Sequence, residues 1–328
     1  MPKRILRIFA LALLAFLGLA AGGLGLAHWE IRGLGGPLPS EEAVLDLANG
    51  RDLPIRISAI NTASQPAPRS SVLDANRDPA PDTPYVLGHA SFIVEWRDGR
   101  HLLVDLGMEP AAALEFGAPF ELLGAEPMVP HLGAIAAVGD RVAKGPLALL
   151  FSHLHTDHVQ GVDALCRVRA AAGVEFFQTP AQAERRNYTT RPGVELLDAV
   201  SCLRPQRLAD TPLAEVPGYP GVGVVHAAGH TPGSQVVLIA LQDGDQHRRV
   251  ALVGDVVNCA DGARHDVPKP AAYRAFVVPE ADSRLGEVRR WLADLETRHG
   301  FELAPTHDQR ALEQLGLFTT GTTTAPGS

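Results

Sequence analysis

His153-Leu154-His155-Thr156-Asp157-His158 places four metal-competent side chains within six residues, directly after the apolar run Pro146-Leu147-Ala148-Leu149-Leu150-Phe151. Neutral imidazole suits zinc and similar divalent ions, and a carboxylate adds a harder oxygen that can also hold water. Histidines at i and i+2, followed by Asp at i+4 and His at i+5, do not converge comfortably on one ion. The pattern divides naturally into His153 and His155 for one ion and Asp157 and His158 for another. A solvated polar loop that happens to be His-rich is the competing reading, and the remaining elements weigh against it.

Three more segments follow the same grammar, an apolar strand and then a loop with a single ligand. His230 lies in Ala228-Gly229-His230-Thr231-Pro232-Gly233-Ser234, after Val224-Val225. Asp255 follows Val250 to Gly254, and His307 lies in Pro305-Thr306-His307-Asp308 after Phe301 to Ala304. With the first loop these supply seven ligands.

The elements that must position them read as alternating strands and helices. Strands are expected over Leu53–Ile60, Tyr85–Trp96, His101–Asp105, the run ending at Phe151, Val174–Phe177, Gly223–Ala227, Gln235–Leu241, Arg249–Val253 and Phe301–Ala304. Arg97-Asp98-Gly99-Arg100 carries a hairpin signal. Asn61 to Pro84, rich in Pro, Ser, Ala and Asp, is expected to be a long loop. Helices are expected within Ala112–Lys144, after the metal loop as far as Gly173, and from Asp282 or Ser283 to His299 with Gly300 as the stop.

At 328 residues, 46% of them hydrophobic, the chain has room for a substantial core. A net charge of -8 offers no footprint for gripping phosphate backbones, so no nucleic-acid partner is expected. Lys3, Arg4 and Arg7 precede an uncharged apolar stretch from Ile8 to Ala27. That fits a signal peptide or one membrane-spanning anchor, the latter favoured by the length of the run, and either predicts export of the chain beyond Ala27. The expected organisation is a signal peptide or anchor over 1–27, a tether over 28–52, the main domain over 53–316 and a flexible tail over 317–328. Three cysteines make no disulfide framework. At most one bridge can form, and burial as small apolar residues is the default for Cys166, Cys202 and Cys259.

The five elements in this order closely resemble the metallo-β-lactamase-fold hydrolases, over roughly residues 53 to 316. His153 to His158 matches the family's His-x-His-x-Asp-His signature. His230 matches its lone His in Gly-His-Thr-Pro-Gly, Asp255 its Gly-Asp, and His307 its late His. Asp105, closing the early strand Leu102 to Leu106, also matches. The resemblance implies an α/β fold, a four-layer αββα sandwich, with two metal ions at one edge. It implies that His153, His155 and His230 bind one Zn²⁺, that Asp157, His158 and His307 bind the other, and that Asp255 bridges them; other divalent transition metals fit too. Such a pair, about 3.5 to 4 Å apart, shares a hydroxide and polarises the substrate oxygen. Asp157 and Asp255 are the expected catalytic residues, and Asp105 is expected to fix the metal loop.

Asp255 argues against the β-lactamases proper, and the spacing to His307 resembles the lactonase-like branch. The expected substrate is a small-molecule lactone or other carboxylic ester. A phosphodiesterase, a thioesterase or a β-lactam hydrolase of the same fold is the alternative, and a non-catalytic exported binding protein is a further one. Quorum-signal lactonases place a Tyr three residues after the bridging Asp, where this chain has Asn258. Either Tyr188 or Tyr273 substitutes for it, or the substrate is a different ester. His89 is a candidate substrate contact, against the simpler reading of a histidine satisfied within its strand. Phe116 to Phe120 and Tyr273 to Phe276 are expected to wall the pocket.

Overall fold

Side chains alternate faces along a strand, and the apolar strands of this chain bury both faces. In the computed structural model, which describes residues 3–122, 125–244 and 246–318, that alternation builds two sheets. Among the described residues the first contains β1 (Arg56–Ala67), β2 (Tyr85–Glu95), β3 (His101–Val104), β4 (Val129–Pro130), β5 (Leu147–Leu150), β6 (Val174–Gln178) and β7 (Leu203–Arg207), in the order β4-β1-β2-β3-β5-β6-β7. The second contains β8 (Ala214–Glu215), β9 (Val222–His226), β10 (Gln235–Asp243), β11 (Gln246–Gly254) and β12 (Phe301–Pro305), in the order β12-β11-β10-β9-β8.

Ala148 and Leu150 of β5 join Val237 and Ile239 of β10 and Val250 and Leu252 of β11 in the core between the sheets. Leu147 and Leu149 point the other way, onto Ile135, Val138, Val162, Leu165 and Leu197 from helices Ala134–Val138, Val162–Arg169 and Arg191–Asp198. On the outer face of the second sheet, Val236, Leu238, Ala251 and Val253 meet Leu285, Val288, Leu292 and Leu295 of helix Asp282–His299. The spacing of those four puts them on one helical face. Truncating such a buried leucine to alanine costs about 2–5 kcal/mol. The helix stops at Gly300, whose left-handed φ of 66° ends it as expected. Helices therefore flank both sheets.

Several boundaries differ from expectation. Part of the stretch read as a tether is docked: Ser40 caps helix Glu41–Asp46, and Val44, Leu47 and Ala48 are buried against the second sheet. The loop expected from Asn61 begins only after Ala67, because β1 continues. Its polar residues are buried and satisfied there, Thr62 Oγ1 donating to His89 O at 2.8 Å and Asn61 Nδ2 to Ser64 Oγ at 2.7 Å. The polar composition is that of a strand facing a cleft. At the far end, Leu317 is buried and its carbonyl accepts from Ala59 N at 2.6 Å, so the packed domain reaches Phe318. The rest of the expected tail, 319–328, lies outside the described residues.

Cys166 and Cys202, expected to be buried thiols, form a disulfide with Cα atoms 5.4 Å apart, tying helix Val162–Arg169 to the segment that enters β7. Cys259 is buried and free. The first helix spans Lys3–Ile31, and its Arg7–Ile31 portion, mean hydropathy 2.2, is long and apolar enough to cross a membrane. Its last turns rest on the domain: Ala27 and Ile31 are buried, and His28 Nε2 lies 3.1 Å from Ala275 O.

Candidate metal centre

β3, β5, β9, β11 and β12 end at one edge of the two sheets, and the loops leaving them carry the metal-competent side chains. Asp105 closes β3 in a left-handed conformation, φ 59°, that is unusual for a residue with a Cβ. Its carboxylate accepts from Ser152 N at 2.7 Å and Ser152 Oγ at 2.7 Å, and Oδ2 lies 2.8 Å from His158 Nδ1. One buried carboxylate thus anchors the start of the metal loop and fixes which nitrogen of His158 faces the cleft. The loop is also held by its Phe151 carbonyl, which accepts from Gln182 Nε2 at 2.9 Å and Gln235 Nε2 at 2.8 Å. Gly254, before Asp255, approaches so closely that a Cβ there would lie 2.6 Å from Ser152 Cβ. The glycine lets the two sheets meet at the site.

His153 Nε2 lies 2.9 Å from His155 Nδ1, which lies 3.2 Å from His230 Nε2, so three imidazole nitrogens face one point. Across from them, His307 Nε2 is 3.1 Å from Asp255 Oδ1 and 3.6 Å from Asp157 Oδ2. His158 Nε2 is 3.3 Å from Asp255 Oδ1 and 3.6 Å from Asp157 Oδ2. Asp255 Oδ2 is 3.1 Å from His307 Nε2 and 3.6 Å from His230 Nε2, so this carboxylate is in reach of both groups. All seven residues expected as ligands are brought together.

Burial holds His153 well below the usual imidazole range, assisted by His158 and His155, and pushes His155 down to about 3, assisted by His230. Both therefore present neutral lone pairs at neutral pH. Burial would act the same way on His158, but Asp157, Asp105 and Asp255 outweigh it and hold that ring well above the usual range. Burial would raise Asp255, yet His307, His158 and His153 keep it ionised. Asp255 Oδ1 and His158 Nε2 are buried with no hydrogen-bond partner among the described residues. Leaving such atoms bare costs about 1–3 kcal/mol each, more for charged groups. A nitrogen-rich group beside a mixed nitrogen and carboxylate group fits divalent transition ions.

Two residues that carry no motif complete the support of His230. Its Nδ1 lies 2.7 Å from Glu280 Oε1 and 3.1 Å from Lys269 Nζ; Lys269 Nζ donates to Glu280 Oε1 at 2.7 Å and to the Asp255 carbonyl at 2.7 Å. The Glu280 side chain is 0% exposed and that of Lys269 4%. A single Glu and a single Lys in a proline-containing stretch have no spacing signal for sequence reasoning to find, and only their burial reveals the role.

The expected substrate contacts separate. Tyr273 lies over Lys269, its ring centroid 5.2 Å from Nζ, and burial with the nearby Glu280, Asp255 and Asp157 holds its phenol well above the usual range. Tyr188 is half exposed, between helices Pro180–Glu184 and Arg191–Asp198. Asn258 is buried; its carbonyl accepts from Tyr85 Oη at 2.8 Å. His89 is buried, Nδ1 3.2 Å from Asp157 Oδ2, with Phe116 packed edge-on at 5.5 Å.

Two sheets flanked by helices, with histidines and carboxylates gathered at the strand ends, define a class of metal-dependent hydrolases. Residues 84–309 match the metallo-β-lactamase superfamily, and the chain belongs to it. An N-acyl homoserine lactonase from Bacillus sp is 28% identical over 204 residues, 60% of this chain and 74% of that protein. Among solved structures, an N-acyl homoserine lactone hydrolase with the product N-hexanoyl-L-homoserine at its catalytic metal centre superposes with a TM-score of 0.57 at 20% identity, covering 83% of this chain and 99% of that one. A quorum-quenching N-acyl homoserine lactone lactonase gives 0.55 at 20% identity, covering 78% and 93%.

Proposed function

We propose that this protein hydrolyses a lactone or closely related carboxylic ester at a dinuclear zinc centre held by His153, His155 and His230 on one side, Asp157, His158 and His307 on the other, and Asp255 between. The observation that carries the reading is the Asp255 carboxylate, which reaches both groups: Oδ2 is 3.6 Å from His230 Nε2, Oδ1 is 3.3 Å from His158 Nε2, and both oxygens are 3.1 Å from His307 Nε2. Two divalent ions so held would acidify a water and polarise a carbonyl at neutral pH.

The chain's own groups provide the rest. Asp157 remains a carboxylate, because His158 and His89 outweigh the burial that would raise it, and it accepts a hydrogen bond that orients the attacking water. Tyr273 stays protonated across neutral pH and donates to the carbonyl oxygen, the role left open by Asn258. The water oxygen forms the new bond to the acyl carbon, the ring C–O bond breaks, and the water's proton ends on the leaving alkoxide. Phe116 and Phe120, with centroids 5.6 Å apart, offer an apolar wall for an acyl or alkyl arm. Hydrophobic lactones are therefore preferred to phosphodiesters and β-lactams.

We further propose that the metal domain works outside the cytoplasm, tethered by the first helix. The basic residues ahead of Arg7–Ile31 and the Cys166–Cys202 bridge support this, since disulfides persist in oxidising compartments. The test is kcat/KM for the full-length, detergent-solubilised protein on a panel of lactones, aryl esters, phosphodiesters and β-lactams, alongside metal analysis. A phosphodiester or β-lactam turned over faster than every lactone and ester overturns the substrate class. Fewer than two ions per chain in active protein overturns the dinuclear centre.

A further inference from the structure

His89 is placed by a device that a merely structural histidine does not need. β1 pairs with β2 through Asn61 opposite Ala90 and Ser64 opposite Gly88, and the register shifts between them. The resulting bulge sets two residues of β1, Thr62 and Ala63, opposite the single residue His89 of β2. Its backbone is instead held by side chains, His89 N donating to Asn61 Oδ1 at 2.9 Å and His89 O accepting from Thr62 Oγ1 at 2.8 Å. Bulges re-aim side chains next to active sites. On either side, Gly88 N and Ala90 N donate to the carbonyls of His307 and Thr306, each at 3.2 Å, which fixes β2 against the His307 loop.

The ring so aimed is 1% exposed and stands edge-on to His307, with centroids 4.8 Å apart. Its Nδ1 is 3.2 Å from Asp157 Oδ2, yet neither ring nitrogen has a hydrogen-bond partner among the described residues. A buried imidazole with no hydrogen-bond partner leaves a costly unsatisfied group, which a cation shared with the nearby carboxylate would satisfy. His89, Asp157 and His307 each offer a ligand atom within 4.8 Å of the others.

We propose that His89 is an eighth protein ligand, binding the ion held by Asp157, His158, Asp255 and His307. This rests on the two-ion reading above. It makes the centre unequal: four protein donors on the side of His153, His155 and His230, counting Asp255, and five on the other. A five-donor site with a carboxylate pair suits an ion that accepts five or six ligands, whereas four donors suit tetrahedral zinc.

The test is chelator-competition titration of the full-length protein with Zn²⁺ and with Co²⁺, wild type against His89→Ala and His89→Gln, with folding followed by circular dichroism. Wild type should take up two ions. His89→Ala should weaken one of the two steps by about tenfold or more, within the range expected for lost metal support. The visible absorption of Co²⁺ at that step should intensify as the coordination number falls, and added imidazole should restore the wild-type spectrum. Unchanged affinity and spectrum in His89→Ala, with two ions bound, overturns the proposal alone. So does full recovery in His89→Gln, which would assign His89 to hydrogen bonding with Asp157. A wild type that binds a single ion overturns the two-ion reading and this proposal with it. If His89→Ala loses its fold, the same comparison is read from His89→Gln, where a weakened step supports ligation.

Discussion

Glu280 offers the sharpest separation of packing from metal support. Its carboxylate is fully buried and holds two partners through one oxygen, Lys269 Nζ and His230 Nδ1, both at 2.7 Å. Glu280→Gln keeps the shape and leaves Lys269 charged and uncompensated, so stability should fall by about 3–5 kcal/mol, as for breaking a buried pair. The same change weakens the hydrogen bond that keeps His230 Nε2 turned towards the cleft. Loss of such a supporting contact lowers metal affinity about 10–100-fold, equivalent to about 1.4–2.7 kcal/mol. Lys269→Met with Glu280→Leu separates the two effects. Replacing both charges with apolar groups should recover most of the stability, because a buried pair is costly to desolvate, while the affinity loss remains. Chemical denaturation of the metal-free protein reads the first quantity, and chelator competition the second. If the double variant regained wild-type metal affinity along with stability, Glu280 would be a packing residue and its assignment to metal support would be wrong.

Asp255→Ala, which removes the shared carboxylate, should retain the fold, lose most turnover and bind fewer ions by elemental analysis. Tyr273→Phe should lower kcat on lactones by about 10²-fold with little change in KM if the phenol donates to the developing oxyanion, while Tyr188→Phe changes neither. Reducing the Cys166–Cys202 bridge frees a 36-residue separation, and the loop-entropy model gives about 4 kcal/mol of lost stability, read as a lower denaturation midpoint in Cys166→Ser with Cys202→Ser. Burial would raise Glu95, but His101 and Arg56 outweigh it and bring the carboxyl from 4.5 down to about 2. Its folded value lies below the unfolded one, so its stabilisation is complete above pH 4.5 and lost as pH falls towards 2. Because Arg56 is 60% exposed, we discount this to about 1–2 kcal/mol, to be read as a flatter acid limb of the stability curve in Glu95→Gln.

The parts of the fold legible in the sequence are those where burial leaves a period. β5 and β10 alternate apolar residues between two cores, so their existence and direction can be read from residues alone. β1 reads as ending at Ile60 because Asn61, Thr62, Ser64 and Gln65 look like loop, whereas they are buried polar groups, with Asn61 bonded to Ser64 within β1 and Thr62 to His89 of β2. β7 carries Pro205 and an exposed run at a sheet edge, and so has no apolar period to detect. The candidate metal loop is readable because its four metal-competent side chains lie within six residues. Lys269 and Glu280 lie 11 apart on a segment without regular spacing, and their pairing depends on where that segment returns to β9 and β11. Which two of three cysteines pair likewise requires the 5.4 Å separation that only the folded chain provides.

The division of ligands between the sheets has a consequence for stability as well as chemistry. His153, His155, Asp157 and His158 come after a strand of the first sheet, and His230, Asp255 and His307 after strands of the second. A cation gripped by both sets ties the sheets at one edge, and any ion that binds only the folded chain adds about 4 kcal/mol at a thousand times its dissociation constant. The edge is nevertheless closed without it. Gly254 abuts Ser152, Gln235 N donates to Ser152 O at 2.7 Å, and Gly88 and Ala90 bond to the His307 loop. A metal so held would reinforce a junction that backbone contacts already define; the candidate ligands stand in place without it, so little ordering entropy would oppose its capture.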